Sequence, residues 1–460
     1  MDIRAPSGFA WAVVAIAVAG GACTCSKGRD PGAVTDAATD ADAAEEGAAS
    51  RVEGALLGGL SAPIAAARIE AGDVVVAGLD VTAHAIRVQR INPNDQVSVE
   101  CTILDGVEWS SESDLRVVPA ARGVAVTWRG LRGGRLVRQM LVLGPGLAPN
   151  GEVVDVSAAS CATREALWFT DGKRLHARPW SGAPFKSDLP HDKDAALVCA
   201  LHRAFALLDE DDGTSVLVLG GAPAADAGAE AGHAGDLARA QGSLAIALLK
   251  ESEFGDDDQR ERAEYTVGDD LGVVRLAASG AIAVREIRGS VPGPLRRLKT
   301  TIPRDDDVVA VDASPRGLVV VFTEDVGEAC QGAGGVTVPS TRVKALRVDR
   351  STFEESVVEL SPGSCGREVG PSFTGALRDD VSVAWVERVP VKGLSRAPIS
   401  GLARRLVVPA GPLAELVRAD QPADALVDAG CDGAHCYAVA LARRPGMDAM
   451  VPGIARVIRY

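Results

Sequence analysis

Beyond residue 50 the chain repeats one pattern. A polar or Gly/Pro-containing turn leads into four to six apolar residues, and a charged turn follows. The copies lie at 72–77, 122–129, 164–171, 203–210, 280–285, 316–324, 380–387 and 436–443. Each run is nearly continuous in apolar residues. A strand with one wet face would alternate with a period of two, so these runs predict strands covered on both faces. Small residues inside them, such as Ala125, Ala206, Ala384 and Ala440, allow close approach of neighbouring sheets. A large one tends to follow, at Trp128, Phe169, Leu208, Phe322, Trp385 and Leu441.

Further strand-like stretches at 136–143, 174–180, 243–249, 341–348 and 402–408 fall between these cores. Each unit therefore holds several antiparallel strands within roughly 40 to 60 residues, the scale of a four-stranded propeller blade. No long amphipathic helix competes. The prediction is an all-β chain, a β-propeller of seven (or eight) antiparallel blades, in which one blade can be completed by the other end of the chain. Two sequential β-sandwiches are the alternative. Two insertions interrupt the pattern: a small-residue segment at 220–242 and a Gly-rich one at 327–340 that carries Cys330. Both are expected to project as rim loops.

Before the repeats, residues 9–20 form an apolar run that ends in Gly20-Gly21-Ala22-Cys23. The run is shorter than the roughly 20 residues of a spanning helix, so it reads as an export signal. Residues 26–50 contain almost no large apolar side chain and cannot bury enough surface to offset chain entropy. The expected organisation is a signal at 1–22, a disordered tether at 23–50 and the repeat domain at 51–460.

The segment around Cys23 resembles that of bacterial lipoprotein precursors. The resemblance implies cleavage before Cys23, a diacylglycerol on its sulfur and, with Thr24 next, sorting to the outer membrane or cell surface. An ordinary secretory signal cut after Ala19 or Ala22, giving a periplasmic or secreted protein, is the other reading.

The formal net charge is −14. Phosphate backbones would be repelled, and no Lys/Arg cluster offsets this, so a nucleic-acid partner is excluded. Nine cysteines in an exported chain point to disulfides. Cys431 and Cys436 flank an Asp-Gly turn and suit a hairpin bridge. A metal site from Cys431, His435 and Cys436 would need a fourth ligand and reduced thiols. Cys330 and Cys365, in neighbouring Gly-rich loops, form a second candidate pair. Cys161 and Cys199 each sit five residues before an apolar core that starts in Ala, the same place in successive units, and could bridge adjacent blades. Cys25 and Cys101 are left without an assigned partner.

Chemistry-bearing motifs are sparse. Asp209, Asp211 and Gly213 imitate the opening of a calcium loop, but no Glu closes it, and a solvated turn is the competing reading. Any such ion would be structural, and no other cofactor is expected. The sequence has no Gly-x-Ser-x-Gly elbow, no phosphate loop ending in Gly-Lys-Ser/Thr and no His-Glu-x-x-His. The histidines, at 84, 176, 191, 202, 233 and 435, lack metal spacing. The architecture is similar to that of bacterial β-propeller lipoproteins. Trp168-Phe169-Thr170-Asp171 looks like one YWTD repeat, and Asp211-Asp212-Gly213-Thr214 resembles part of the Asp box of sialidase-like propellers. These likenesses imply a fold class and carry over no functional residue. The expected function is a lipid-anchored, noncatalytic binding or scaffold module for a protein or glycan partner. The alternative is a propeller enzyme of glycan hydrolase or lactonase type with a central-channel site.

Overall fold

The apolar runs become central strands of small antiparallel sheets. The computed structural model describes residues 22–27, 55–57 and most of 60–459. Segments 157–159, 180–184, 189–194, 220–246, 251–258, 326–329, 332–336, 362–368, 390–398, 408–411 and 443–453, with some shorter stretches, lie outside that description. Among the described residues there are eight sheets of four or five strands, besides a two-stranded pairing of Cys330–Gln331 with Thr337–Val338. Strand order within each sheet follows the chain outward from a first strand. In blades 1 to 8 these first strands are Ser61–Arg68, Asp114–Ala120, Ser160–Ala162, Ala195–Cys199, Gln259–Val267, Asp307–Ala313, Val369–Leu377 and Ala425–Cys431. Each first strand contacts the next, and Ala425–Cys431 returns to Ser61–Arg68, so the eight close a ring. This is a β-propeller, and of the two blade counts open from sequence the strand pairing gives eight.

The ring is held by apolar clusters that each join two neighbouring blades. Eight such clusters occur among the described residues, one at each seam. Val74–Asp80, the second strand of blade 1, is buried at every position, as a strand packed on both faces must be. Trp128 fills the seam between blades 1 and 2, and Trp385 that between blades 6 and 7. Both have no exposed surface. Such fully buried large side chains dominate the hydrophobic stabilisation.

Seven of the eight predicted cores are second strands. The exception is in blade 5, where the run at 280–285 belongs to the third strand, Ala281–Arg288, and the second is Asp270–Ala277. Hairpins between strands follow local chemistry. Gly133 and Gly134 both take positive φ, 58° and 73°, between the paired Arg132 and Arg135, the two-residue turn that matches strand twist.

Closure uses both ends of the chain. Ala55–Leu57 pairs with Ile454–Arg459 as the outermost strand of blade 8, so a blade is completed from the other terminus, as the repeat pattern allowed. A second N-terminal strand, Ala22–Lys27, lies on the outer edge of blade 1 against Val97–Leu104. It occupies positions at the start of the stretch expected to be a tether. Ala55–Leu57 is only three residues long and Ala22–Lys27 carries no apolar run, so neither is visible in the pattern.

Candidate functional site

Successive antiparallel strands turn at alternate ends, so the hairpins between first and second strands and those between third and fourth share one face of the disc. Among the described residues, polar side-chain contacts between neighbouring blades lie there. The densest group lies between blades 5 and 6. Tyr265, on the first strand of blade 5, stands opposite Gly272 in the register. Its ring covers the bare glycine so closely that a Cβ there would sit 2.0 Å from Tyr265 Cζ. The phenol donates to Glu286 Oε1 at 3.0 Å. The same oxygen accepts Arg350 Nε at 2.7 Å from blade 6, and Arg288 Nη2 donates to Oε2 at 3.0 Å. Arg350 also reaches Asp270 at 3.9 Å, and Asp270 accepts the N–H of Gly289 at 3.2 Å.

This arrangement sets the charge states. Burial, followed by the negative charge of Glu286 and the hydrogen bond to it, raises the Tyr265 pKa far above its ordinary value, so the phenol stays protonated. Burial alone would raise the Glu286 carboxyl. The hydrogen bond and charge of Arg350, with help from Arg288 and Tyr265, outweigh it and leave Glu286 below the usual carboxylate range. Both carboxylate oxygens accept from neighbours, and the bond to Arg350 joins blade 5 to blade 6.

A second chain of contacts spans three blades. Glu165, in the first turn of blade 3, bonds His202 Nδ1 in the first turn of blade 4, and Asp269 in the first turn of blade 5 accepts the His202 backbone N–H at 2.8 Å. Nδ1 is thus held by a carboxylate. Nε2 has no partner among the described residues, and the side chain is partly exposed at 25 %. Elsewhere on this face, Arg459 of blade 8 holds Asp95 and the carbonyls of Ile91 and Asn92 in blade 1. Arg90 of blade 1 donates to Pro145 O of blade 2, and Arg178 of blade 3 donates to Asn150 O of blade 2. Ser314 Oγ of blade 6 donates to Asp379 O of blade 7 at 2.6 Å.

The cysteines expected to pair are placed as follows. Cys161 and Cys199 form a disulfide between the first strands of blades 3 and 4, as their equivalent positions suggested. Cys431 and Cys436 are bonded across the first hairpin of blade 8. Cys330 pairs through its backbone with Val338, while Cys365 lies outside the described residues. Cys23 is on the outer strand of blade 1, opposite Ile103. Asp209 is at the end of the second strand of blade 4, and Asp211 is outside the described residues. No group of three or more potential metal ligands occurs among the described residues. His84 is in an exposed turn with φ 48°, His176 stacks on Phe169 at 4.8 Å and His435 is exposed. His191 and His233 lie outside the description. No described helix is long and apolar enough to cross a membrane.

No family model and no curated protein matches the chain. Its fold resembles several solved structures at low identity. The polysaccharide lyase Uly1 is 7 % identical with a TM-score of 0.44, covering 91 % of this chain and 94 % of that one. The WD40 domain of Toxoplasma gondii coronin is 11 % identical with a TM-score of 0.34, covering 75 % and 80 %. A post-proline cleaving enzyme from Rickettsia typhi is 10 % identical with a TM-score of 0.43. There 82 % of this chain spans 57 % of the enzyme. Enzymes and non-enzymes are thus alike in fold, and the likeness assigns no activity.

Proposed function

We propose that the chain is a lipid-anchored propeller of the cell envelope that acts as a noncatalytic binding or scaffold module, with a protein or glycan as partner. The observation that carries the noncatalytic part is the use made of Glu286. The most densely bonded carboxylate on the polar face spends both oxygens on Tyr265, Arg350 and Arg288, holding blades 5 and 6 together. The lipid anchor rests on the apolar run at 9–20 and Cys23.

The test has two parts. Native protein and Cys23→Ser are compared by intact mass and membrane fractionation. A diacyl-modified N-terminus, and its loss with release into the soluble fraction in the variant, is expected. Purified protein is then assayed for turnover on glycans, lactones and peptides, and sustained turnover would overturn the noncatalytic reading.

One observation favours the enzyme alternative. A carboxylate on Nδ1 of a partly exposed histidine, as in Glu165–His202, is an arrangement suited to proton transfer at Nε2. Under that reading His202→Gln abolishes any turnover found, and unchanged turnover in the variant removes it.

A further inference from the structure

The N-terminal strand Ala22–Lys27 places Cys25 directly opposite Cys101 in the antiparallel register of blade 1. Facing positions in such a pair have Cα atoms about 4.5–5.5 Å apart, within the span a disulfide needs. Independently, Cys101 is disulfide-bonded, and it is wholly buried in the apolar seam between blades 1 and 2. Four other cysteines are already taken, in the pairs Cys161–Cys199 and Cys431–Cys436.

We propose that Cys25 is bonded to Cys101, and that this bond pins the N-terminal segment to the outer edge of blade 1. Where Cys23 carries a lipid, the anchor then holds the disc by its rim. The second half rests on the lipid reading above, whereas the bond does not. Closing the bond removes two protons and two electrons from the two thiols. The Cys25 thiolate attacks the disulfide of an envelope thiol–disulfide oxidoreductase, Cys101 displaces it from the mixed disulfide, and the oxidoreductase leaves as a dithiol.

The consequence concerns geometry. Cleavage before Cys23 leaves Cys23 two residues from the bonded cysteine, on a strand that is the last in its sheet. Residues 28–54 then link two outer strands on neighbouring blades, Ala22–Lys27 on blade 1 and Ala55–Leu57 on blade 8, instead of spacing the lipid from the domain. A free 25-residue coil would let the disc sit roughly 25 to 30 Å from the bilayer in any orientation. Pinned at one edge, the disc stands edge-on, with both loop-bearing faces open to partners.

The first test is peptide mapping of the native full chain, alkylated without reductant. A linked Cys25–Cys101 peptide is expected. Alkylated Cys25 overturns the bond. The same spectra report acylation of Cys23 separately: an unmodified N-terminus with the linked peptide present defeats the lipid reading and leaves the bond standing. The second test inserts a site-specific protease sequence after residue 40 and cleaves the membrane-bound protein. The domain should remain on the membrane without reductant and be released from it by reductant. Cys25→Ser should be released by cleavage alone, at least tenfold more than the parent. Equal release from both, without reductant, overturns the pinning.

Discussion

The Asp428 carboxylate accepts the backbone N–H of Ala66 at 2.6 Å, although the two are 362 residues apart. Tyr437, from the same blade, donates its phenol to the carbonyl of Ala66 at 3.2 Å. Both backbone groups of one residue on the first strand of blade 1 are thereby taken by side chains of blade 8. An inner strand has an open edge, and unpaired N–H and C=O groups there cost free energy when buried. The seam at which the ring closes is thus sealed by side chains acting as a missing strand.

Burial pushes the Asp428 pKa up from 3.8 to about 6, against the lowering effect of the N–H groups of Ala66 and Ala429. Between these values the folded chain binds a proton that the unfolded chain does not. Stability from this group is therefore fully present below the unfolded value and lost as pH rises through about 6. Asp428→Asn keeps an oxygen for Ala66 and never ionises. Its stability relative to the parent should improve by up to about 3 kcal/mol between pH 4 and 7. Urea unfolding at four pH values in that range checks this, and a difference that does not vary with pH refutes it.

Glu286 behaves in the opposite sense. Its folded pKa lies below the usual value, so the stability it contributes is present at neutral pH and lost on acidification through the depressed folded value. Glu286→Ala would leave the Arg350 guanidinium, whose side chain is only 13 % exposed, without its close partner. The expected cost is about 3–5 kcal/mol. Replacing Arg350 as well, with Met, should recover part of that loss. A double variant no more stable than Glu286→Ala would show that the pair is not what joins blades 5 and 6.

Among the described residues, glycine lies under tyrosine at two places, Tyr265 over Gly272 and Tyr437 over Gly430, each pair directly opposite in register. The ring covers the backbone that glycine leaves bare. A Cβ at Gly272 would lie 2.0 Å from the ring, and one at Gly430 would lie 2.8 Å from it. Gly272→Ala should cost about 3 kcal/mol, because the ring must leave its place and release Glu286. Gly430→Ala should cost about 1 kcal/mol. Chemical denaturation gives both values, and the reverse order would contradict the packing.

Much of this architecture was legible because both faces of a blade are covered, so second strands such as Val74–Asp80 read as unbroken apolar runs. Blade 5 broke the pattern for a physical reason. Its second strand carries Arg275, buried at 6 % exposure, and this charge interrupts the apolar run. The N-terminal strands Ala22–Lys27 and Ala55–Leu57 left no signal, since the first has no apolar run and the second is only three residues long. The polar seams were equally hidden. Tyr265 and Glu286 meet only through the strand register of blade 5, on either side of Gly272, and Arg350 reaches them only from the neighbouring blade. The one advance hint was positional: Glu165, His202 and Asp379 each fall in the turn before a second strand, the place where adjacent blades meet.

Cys161–Cys199 and Cys431–Cys436 differ in what they close. Cys161–Cys199 spans 38 residues and ties the first strands of blades 3 and 4, of which the described strand in blade 3 is the short Ser160–Ala162. Cys431–Cys436 spans five residues within a hairpin that backbone pairing already holds. Cross-linking restricts the unfolded chain more as the loop lengthens. Cys161→Ser/Cys199→Ser should therefore lose about 4 kcal/mol, and Cys431→Ser/Cys436→Ser about 2 kcal/mol. Native-state proteolysis locates the effect as well as its size. The first double variant should open at blades 3 and 4 before the rest of the ring, because the short strand there has little else to keep it in register. Cleavage confined to blade 8 in that variant would mean that the disulfide is not what secures the seam.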